Sequence, residues 1–111
     1  MSVPEVDPQE ASALVESGAF LLDVREPNEW HAGHAPGAHF VPLAQLPEKV
    51  DDLPRDRRIV AVCRVGGRSA RATEFLIAAG IDAVNVAGGM RAWAASGLAV
   101  ETDDGNAGSV I

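Results

Sequence analysis

One segment of this chain, VCRVGGRSA at residues 62–70, contains its only cysteine and a cluster of residues suited to anion binding. Gly66 and Gly67 allow the backbone to turn tightly after Cys63, and such a turn directs several N–H groups at one point. Arginines add positive charge around the same point, and these groups together stabilise a thiolate over a thiol. Because a thiolate is a nucleophile, the segment predicts covalent catalysis through Cys63. The other candidate residues of this loop are Arg64, Val65, Gly66, Gly67, Arg68 and Ser69.

A structural cysteine is the alternative interpretation of the same segment. A lone cysteine in a soluble chain usually behaves as a small buried hydrophobe, and arginines commonly lie on solvated helix faces. Here the chain has a net charge of -7, yet three of its nine Lys and Arg residues lie between positions 64 and 71, with no acidic residue before Glu74. This local reversal of sign, next to two glycines, favours the nucleophile.

The elements that must position Cys63 alternate between strands and helices. An apolar strand at 58–63 ends on the cysteine, and a helix at 68–80 begins directly after the glycines. This alternation predicts an α/β fold with an open, mainly parallel sheet of about five strands and helices on both faces. Ligands of such sheets bind beyond the carboxyl ends of the strands, where Cys63 lies. The other predicted elements are strands at 19–24, 39–43 and 82–87 and helices at 7–18, 26–33, 43–54 and 88–97.

Three ordered motifs in this sequence resemble those of the single-domain rhodaneses, a family of sulfurtransferases. LLDVREPNEWHAGHAPGAHFVPL (21–43) resembles the first family signature, CRVGGRSA (63–70) the active-site loop, and AGGMRAWAASGLAV (87–100) the C-terminal signature. The sequence departs from these motifs at Ala35, where isoleucine is usual, and at Ala99, where proline is common. Both departures are changes of packing outside the loop.

The resemblance implies a rhodanese-like fold and sulfur transfer of the thiosulfate sulfurtransferase type. The Cys63 thiolate would take the outer sulfur of a donor such as thiosulfate, hold it as a persulfide, and pass it to cyanide or to a thiol, including a protein thiol. Arg64 and Arg68 would hold the small anionic donor, and Ser69 would donate a hydrogen bond to the sulfur. The chain has no second cysteine, so the acceptor must come from outside it. No cofactor is expected.

Two other functions stay open at this point. Cysteine-dependent phosphatases and arsenate reductases place one more residue between cysteine and arginine than the four that separate Cys63 from Arg68 here. A shorter ring of backbone amides suits a single sulfur atom better than a tetrahedral oxyanion. The second alternative is a persulfide carrier or sensor that acts through a partner protein.

Charged and histidine residues before the loop give a further set of candidates. Asp23 and Arg25 lie at the end of the strand predicted at 19–24, and we expect them to support the loop through ion pairs and hydrogen bonds. His31, His34 and His39 lie close together in the sequence. Glycine and proline turns interrupt any shared helical face, and zinc normally requires three or four ligands, so no metal site is expected.

Composition limits the partners of this chain. The net charge of -7 argues against nucleic-acid binding and gives no reason to expect an anionic membrane surface. The sequence contains neither a signal peptide nor an apolar stretch near the roughly 20 residues of a membrane span, so a cytoplasmic location is expected. Nothing in the sequence requires more than a monomer. We predict one domain over residues 1–100 and a flexible C-terminal tail over residues 101–111, which are polar and glycine-bearing.

Overall fold

Five parallel strands form a single sheet: β1 (Glu5–Val6), β2 (Phe20–Asp23), β3 (His39–Phe40), β4 (Ile59–Val62) and β5 (Ala83–Val86). The computed structural model describes residues 2–111. The strand order is β1-β5-β4-β2-β3, which places β4 at the centre of the sheet. The predicted α/β fold with a parallel sheet of about five strands is therefore confirmed. Strand β1 is not among the strands predicted from the sequence, because Glu5 and Val6 include only one apolar side chain and form no apolar run.

Strand β4 determines which face of the sheet the Cys63 side chain lies on. Its four residues are all buried, as expected for a central parallel strand of apolar and mostly β-branched residues. Side chains alternate between the faces of the sheet. Ile59 and Ala61 therefore pack in one core cluster, together with Cys63, while Val60 and Val62 pack in the cluster on the opposite face. Cys63 thus continues the side-chain alternation of β4 and lies on a fixed face.

The helices differ from the sequence predictions mainly between residues 43 and 54. The predicted helix there is divided into two 3-10 turns, Leu43–Gln45 and Val50–Asp52, which flank the one-turn helix α3. Pro47 lies in the first turn of α3, where its missing N–H does no harm, and it prevents the helix from starting earlier. The helices are α1 (Pro8–Glu16), α2 (Pro27–Ala32), α3 (Leu46–Lys49), α4 (Gly67–Ala78) and α5 (Gly89–Ala95).

The C-terminal segment, residues 101–111, lies against the domain. Glu101 and His34 exchange two backbone hydrogen bonds of 2.8 Å, and the Ser109 N–H donates to the carbonyl of Ala32 at 2.8 Å. The sequence predicts a flexible tail here, whereas the structure gives these residues defined contacts with the end of α2. Composition alone could not indicate them, because they depend on backbone groups more than sixty residues away along the chain.

Within residues 2–111, none of the helices has both the length and the apolar character required to cross a bilayer.

Candidate active site

Cys63 lies immediately after β4, and its sulfur is held by two hydrogen-bond donors. The Gly66 N–H donates to Sγ at 3.1 Å, and the Ser69 hydroxyl donates to Sγ at 3.2 Å. The residue is only 1% exposed. Both donors point at the buried sulfur, an arrangement that can stabilise negative charge developing on it during a reaction.

The loop after Cys63 owes its shape to glycine. Gly66 precedes α4 with a φ of +112°, a conformation that side-chain-bearing residues rarely adopt. Gly67 is the first residue of α4, so the loop leads directly into the positive end of a helix of 12 residues. The glycine turn and the N-terminus of α4 therefore both lie beside the Cys63 sulfur.

The second glycine pair of the chain, Gly88 and Gly89, lets the start of α5 form hydrogen bonds with the cysteine loop. Backbone N–H groups of Met90 and Arg91 donate to the carbonyl oxygens of Cys63 and Arg64, at 2.7 and 3.0 Å. A Cβ on Gly89 would lie 2.5 Å from both of those oxygens. This close approach explains the AGGM sequence: the glycines allow α5 to dock on the loop.

Asn85 is a polar residue in the otherwise apolar strand β5, and it contacts the loop. It is 1% exposed, and its Oδ1 accepts a hydrogen bond from Ser69 Oγ at 2.5 Å. Its Nδ2 donates to the carbonyl oxygen of Gly66 at 3.1 Å and to Glu5 Oε2 at 3.0 Å. The sequence analysis missed Asn85, although a buried amide in a run of apolar residues was the available signal.

Arg68 forms a paired hydrogen bond with Glu29 of α2, another residue that the sequence analysis missed. Its Nη1 and Nη2 donate to the two carboxylate oxygens at 2.7 and 2.8 Å. Hydrogen bonds from Arg68 lower the pKa of Glu29 to about 2, assisted by the Glu26 N–H and the nearby charge of Arg25 and opposed by burial. The only sequence signal was the position of Glu29 in the first family motif, directly before Trp30.

The Glu29–Arg68 pair predicts an acid-dependent loss of stability. Well above pH 4.5 the Glu29 carboxylate is ionised in both the folded and the unfolded chain, so the ion pair makes its full contribution to the free energy of unfolding. As the pH falls from 4.5 to about 2, only the unfolded chain takes up the proton, so the free energy of unfolding decreases. Glu29→Gln should flatten this decrease in urea unfolding curves measured across that range, whereas Glu48→Gln on α3 should not. Equal pH dependence in the wild type and Glu29→Gln would contradict the assignment.

The other loop residues face the surface. Arg64 Nε donates to the main-chain oxygen of Ile111 at 2.9 Å, which connects the loop to the C-terminal segment. Val65 is 52% exposed at the turn of the loop. Arg64 is half-buried and Val65 is exposed, so both residues reach the protein surface beside the loop.

Asp23 and Arg25 form a buried ion pair at the end of β2. Arg25 Nε and Nη2 donate to the Asp23 carboxylate, and Nη2 also donates to the carbonyl oxygen of Gly33 at 2.8 Å. Both side chains are fully buried. Among residues 2–111, neither of the two side chains forms a hydrogen bond with the cysteine loop. Their link to the site runs through α2, because Arg25 lies close enough to Glu29 to lower its pKa.

Comparison with known proteins places this geometry in a family. The family model described as "Rhodanese-like domain" matches residues 7–96. The chain belongs to the rhodanese-like domain family. The cysteine loop, the glycine pair of α5 and the Glu29 motif all lie within the matched part of this rhodanese-like domain.

Named relatives of the rhodanese-like domain are sulfurtransferases. A sulfurtransferase of Allochromatium vinosum is 34% identical over 106 residues, covering 93% of this chain and 99% of the relative. Thiosulfate sulfurtransferase GlpE of Pseudomonas syringae is 32% identical over 89 residues, covering 79% and 84%. The crystal structure of a rhodanese-related protein from Thermoplasma volcanium superposes with a TM-score of 0.83 at 33% identity, covering 87% of this chain and 96% of that one. These relatives support rhodanese-type sulfur transfer in general.

Two of the three histidines of the rhodanese-like domain, His31 and His34, approach the carboxylate of Asp103, at 2.9 and 3.8 Å. His34 stacks on Trp30 with ring centroids 3.6 Å apart, and His39 stacks on Phe20 at 4.1 Å. His31 Nδ1 lies 2.9 Å from a carboxylate oxygen of Asp103. Within the described part of the chain, no group of three or more His, Cys, Asp and Glu side chains is arranged to hold a metal ion.

Proposed function

We propose that this rhodanese-like domain transfers sulfane sulfur from a small anionic donor such as thiosulfate to a thiol or cyanide through a persulfide on Cys63. The Cys63 thiolate attacks the outer sulfur of thiosulfate. A new S–S bond forms, the S–S bond of thiosulfate breaks, and sulfite leaves with the electron pair. The acceptor then attacks the outer sulfur of the persulfide, and Cys63 leaves as a thiolate.

The observation that carries this proposal is the pair of donors on Cys63 Sγ, at 3.1 and 3.2 Å, at the N-terminus of α4. They stabilise the thiolate that attacks the donor and the same thiolate when it leaves. The N-terminus of a helix adds further stabilisation of negative charge. A persulfide keeps its negative charge on the outer sulfur, so the same end of the helix favours the intermediate.

The two loop arginines take different parts in this proposal. Arg68 is neutralised by Glu29, so it positions the first turn of α4 more than it attracts an anion. Arg64 uses one N–H, that of Nε, on the main-chain oxygen of Ile111 and forms no side-chain ion pair within residues 2–111. Its guanidinium is therefore better suited to bind the sulfonate end of thiosulfate. The name of the thiosulfate sulfurtransferase relative from Pseudomonas syringae supports thiosulfate as the donor.

The proposed function predicts sulfur transfer without phosphate ester hydrolysis. Wild-type protein incubated with thiosulfate and cyanide should produce thiocyanate, whereas p-nitrophenyl phosphate should release no nitrophenol above the rate without protein. The reason is the loop from Cys63 to Arg68, which is one residue shorter than that of the phosphatases and so suits a single sulfur atom better than a tetrahedral oxyanion. Cys63-dependent hydrolysis of the phosphate ester, without thiocyanate, would favour the phosphatase function instead.

A further inference from the structure

The Ser69 hydroxyl has one proton and three acceptors within reach. Asn85 Oδ1 lies 2.5 Å from Ser69 Oγ, Cys63 Sγ lies at 3.2 Å, and the Gly66 carbonyl oxygen lies at 3.5 Å. A hydroxyl donates one hydrogen bond at a time, so these acceptors compete. The Asn85 oxygen is the nearest of the three.

The orientation of the Asn85 carboxamide is fixed by two acceptors on its other side. Its Nδ2 donates to the Gly66 carbonyl and to the carboxylate of Glu5 on β1. If the amide were turned over, Oδ1 would face both of these oxygens and neither would receive a proton. Burial of Asn85 makes such an unsatisfied arrangement costly, so Oδ1 stays directed at Ser69.

We propose that Asn85 is a positioning residue, which competes with the Cys63 sulfur for the Ser69 proton and so sets how strongly Ser69 stabilises the thiolate. When Cys63 is a thiol, its S–H donates to Ser69 Oγ, and the hydroxyl donates to Asn85. When Cys63 is a thiolate, the hydroxyl turns to Sγ and Asn85 loses its donor. Removing the Asn85 acceptor should therefore favour the thiolate.

For the reaction, this inference rests on the proposed function. In the persulfide the negative charge has moved to the outer sulfur, and the sulfur bonded to Cβ needs no donor. The Ser69 hydroxyl then returns to Asn85 Oδ1, so Asn85 stabilises the persulfide relative to the thiolate. The competition itself needs no sulfur donor, and it can be measured on the resting protein.

The charged groups around the thiol come from several elements. Arg64 lies in the loop, Arg68 begins α4 and is paired with Glu29 of α2, and Glu5 of β1 acts through Asn85. Replacement of Asn85 by an uncharged residue leaves all four charges in place. A change in the pH dependence of Cys63 reactivity would then report the hydrogen bonds and not a change in charge.

The test is the pH dependence of alkylation by iodoacetamide, which reports Cys63 alone because the chain has one cysteine. Asn85→Leu, which keeps the branched shape of the side chain but cannot accept a hydrogen bond, should move the midpoint of the alkylation rate to lower pH. The rate on the acidic side should rise about fivefold, the factor expected for one net hydrogen bond. Ser69→Ala should move the midpoint to higher pH, and adding Asn85→Leu to Ser69→Ala should change nothing further.

A second pair of variants tests the inference at Glu5, an exposed residue of β1. Glu5→Ala removes one of the acceptors that fix the amide, while Glu5→Gln removes the same charge but keeps an acceptor. Glu5→Ala should lower the midpoint more than Glu5→Gln does. The inference would be overturned if the midpoint stayed or rose in folded Asn85→Leu. It would also be overturned if Asn85→Leu shifted the midpoint equally in the Ser69→Ala background, or if Glu5→Ala and Glu5→Gln had the same midpoint. Because alkylation uses no sulfane sulfur, these outcomes are independent of whether sulfur transfer occurs.

Discussion

We expect the replacement of Cys63 with serine to abolish sulfur transfer while the domain stays folded. A serine oxygen is protonated at neutral pH and cannot form a persulfide, so the rate of thiocyanate formation should fall to the rate measured without protein. The substitution is nearly isosteric, and the Gly66 N–H and the Ser69 hydroxyl that contact the sulfur can donate to a serine oxygen as well. The melting temperature should therefore change little.

The comparison needs a variant in which the thiol is kept. Arg55→Gln alters an exposed arginine whose Nη1 donates to the Ala79 carbonyl oxygen at the end of α4, beyond the site. It should leave thiocyanate formation close to the wild-type rate. Transfer that persists in folded Cys63→Ser protein would show that the nucleophile is not this cysteine.

Replacing Asp23 with alanine lowers the free energy of unfolding by about 3–5 kcal/mol, the cost of leaving a buried charge without its partner. Arg25 is fully buried, and Asp23 accepts hydrogen bonds from both its Nε and its Nη2. Among residues 2–111 its Nη1 already has no partner. The remaining anchor of the guanidinium would be the Gly33 carbonyl at the end of α2. Loss of the pair should therefore also loosen the helix that carries Glu29.

The matched control for this prediction is Asp82→Ala. Asp82 accepts a hydrogen bond from Arg58 Nε at 3.0 Å, but the side chains are 64% and 43% exposed. Exposed pairs are screened by water, so the same substitution there should cost less than about 1 kcal/mol. Urea unfolding of both variants beside the wild type gives the comparison. Equal losses of stability for Asp23→Ala and Asp82→Ala would contradict the structural role assigned to the buried pair.

Local patterns in the sequence were sufficient for the fold and for the position of Cys63 between a strand and a helix. The apolar run that ends at Cys63 and the helical periodicity that begins after Gly67 are each encoded by neighbouring residues, and the structure has a strand and a helix there. The glycines of the loop indicated a tight turn, and Gly66 has a positive φ. The family prediction is confirmed by the match over residues 7–96.

The residues that surround the nucleophile could not be derived in the same way. Arg68 and Glu29 are 39 residues apart in the sequence, and Asn85 and Glu5 are 80 apart. Such pairs depend on the order of the strands in the sheet, and the spacing of neighbouring residues in the sequence does not indicate them. For this reason Arg68 looked like a free anion-binding group in the sequence, whereas in the structure Glu29 neutralises it.

The same reason applies to the segments whose path differs from the prediction. The apolar positions between 43 and 54 have helical spacing, but Pro47 lies in the first turn of α3 and prevents the helix from including residues 43–45. The polar composition of 101–111 gave no sign of its backbone hydrogen bonds with residues 32 and 34. In both segments a backbone constraint or a distant partner outweighs the local pattern.

The most direct test of a Cys63 persulfide is the intact mass of the protein after incubation with thiosulfate. We expect the mass to increase by one sulfur atom, the increase to map to the peptide that contains Cys63, and cyanide to remove it. The same treatment should leave the mass of Cys63→Ser unchanged. An unchanged wild-type mass, or a sulfur atom gained by Cys63→Ser, would contradict the proposed sulfur transfer.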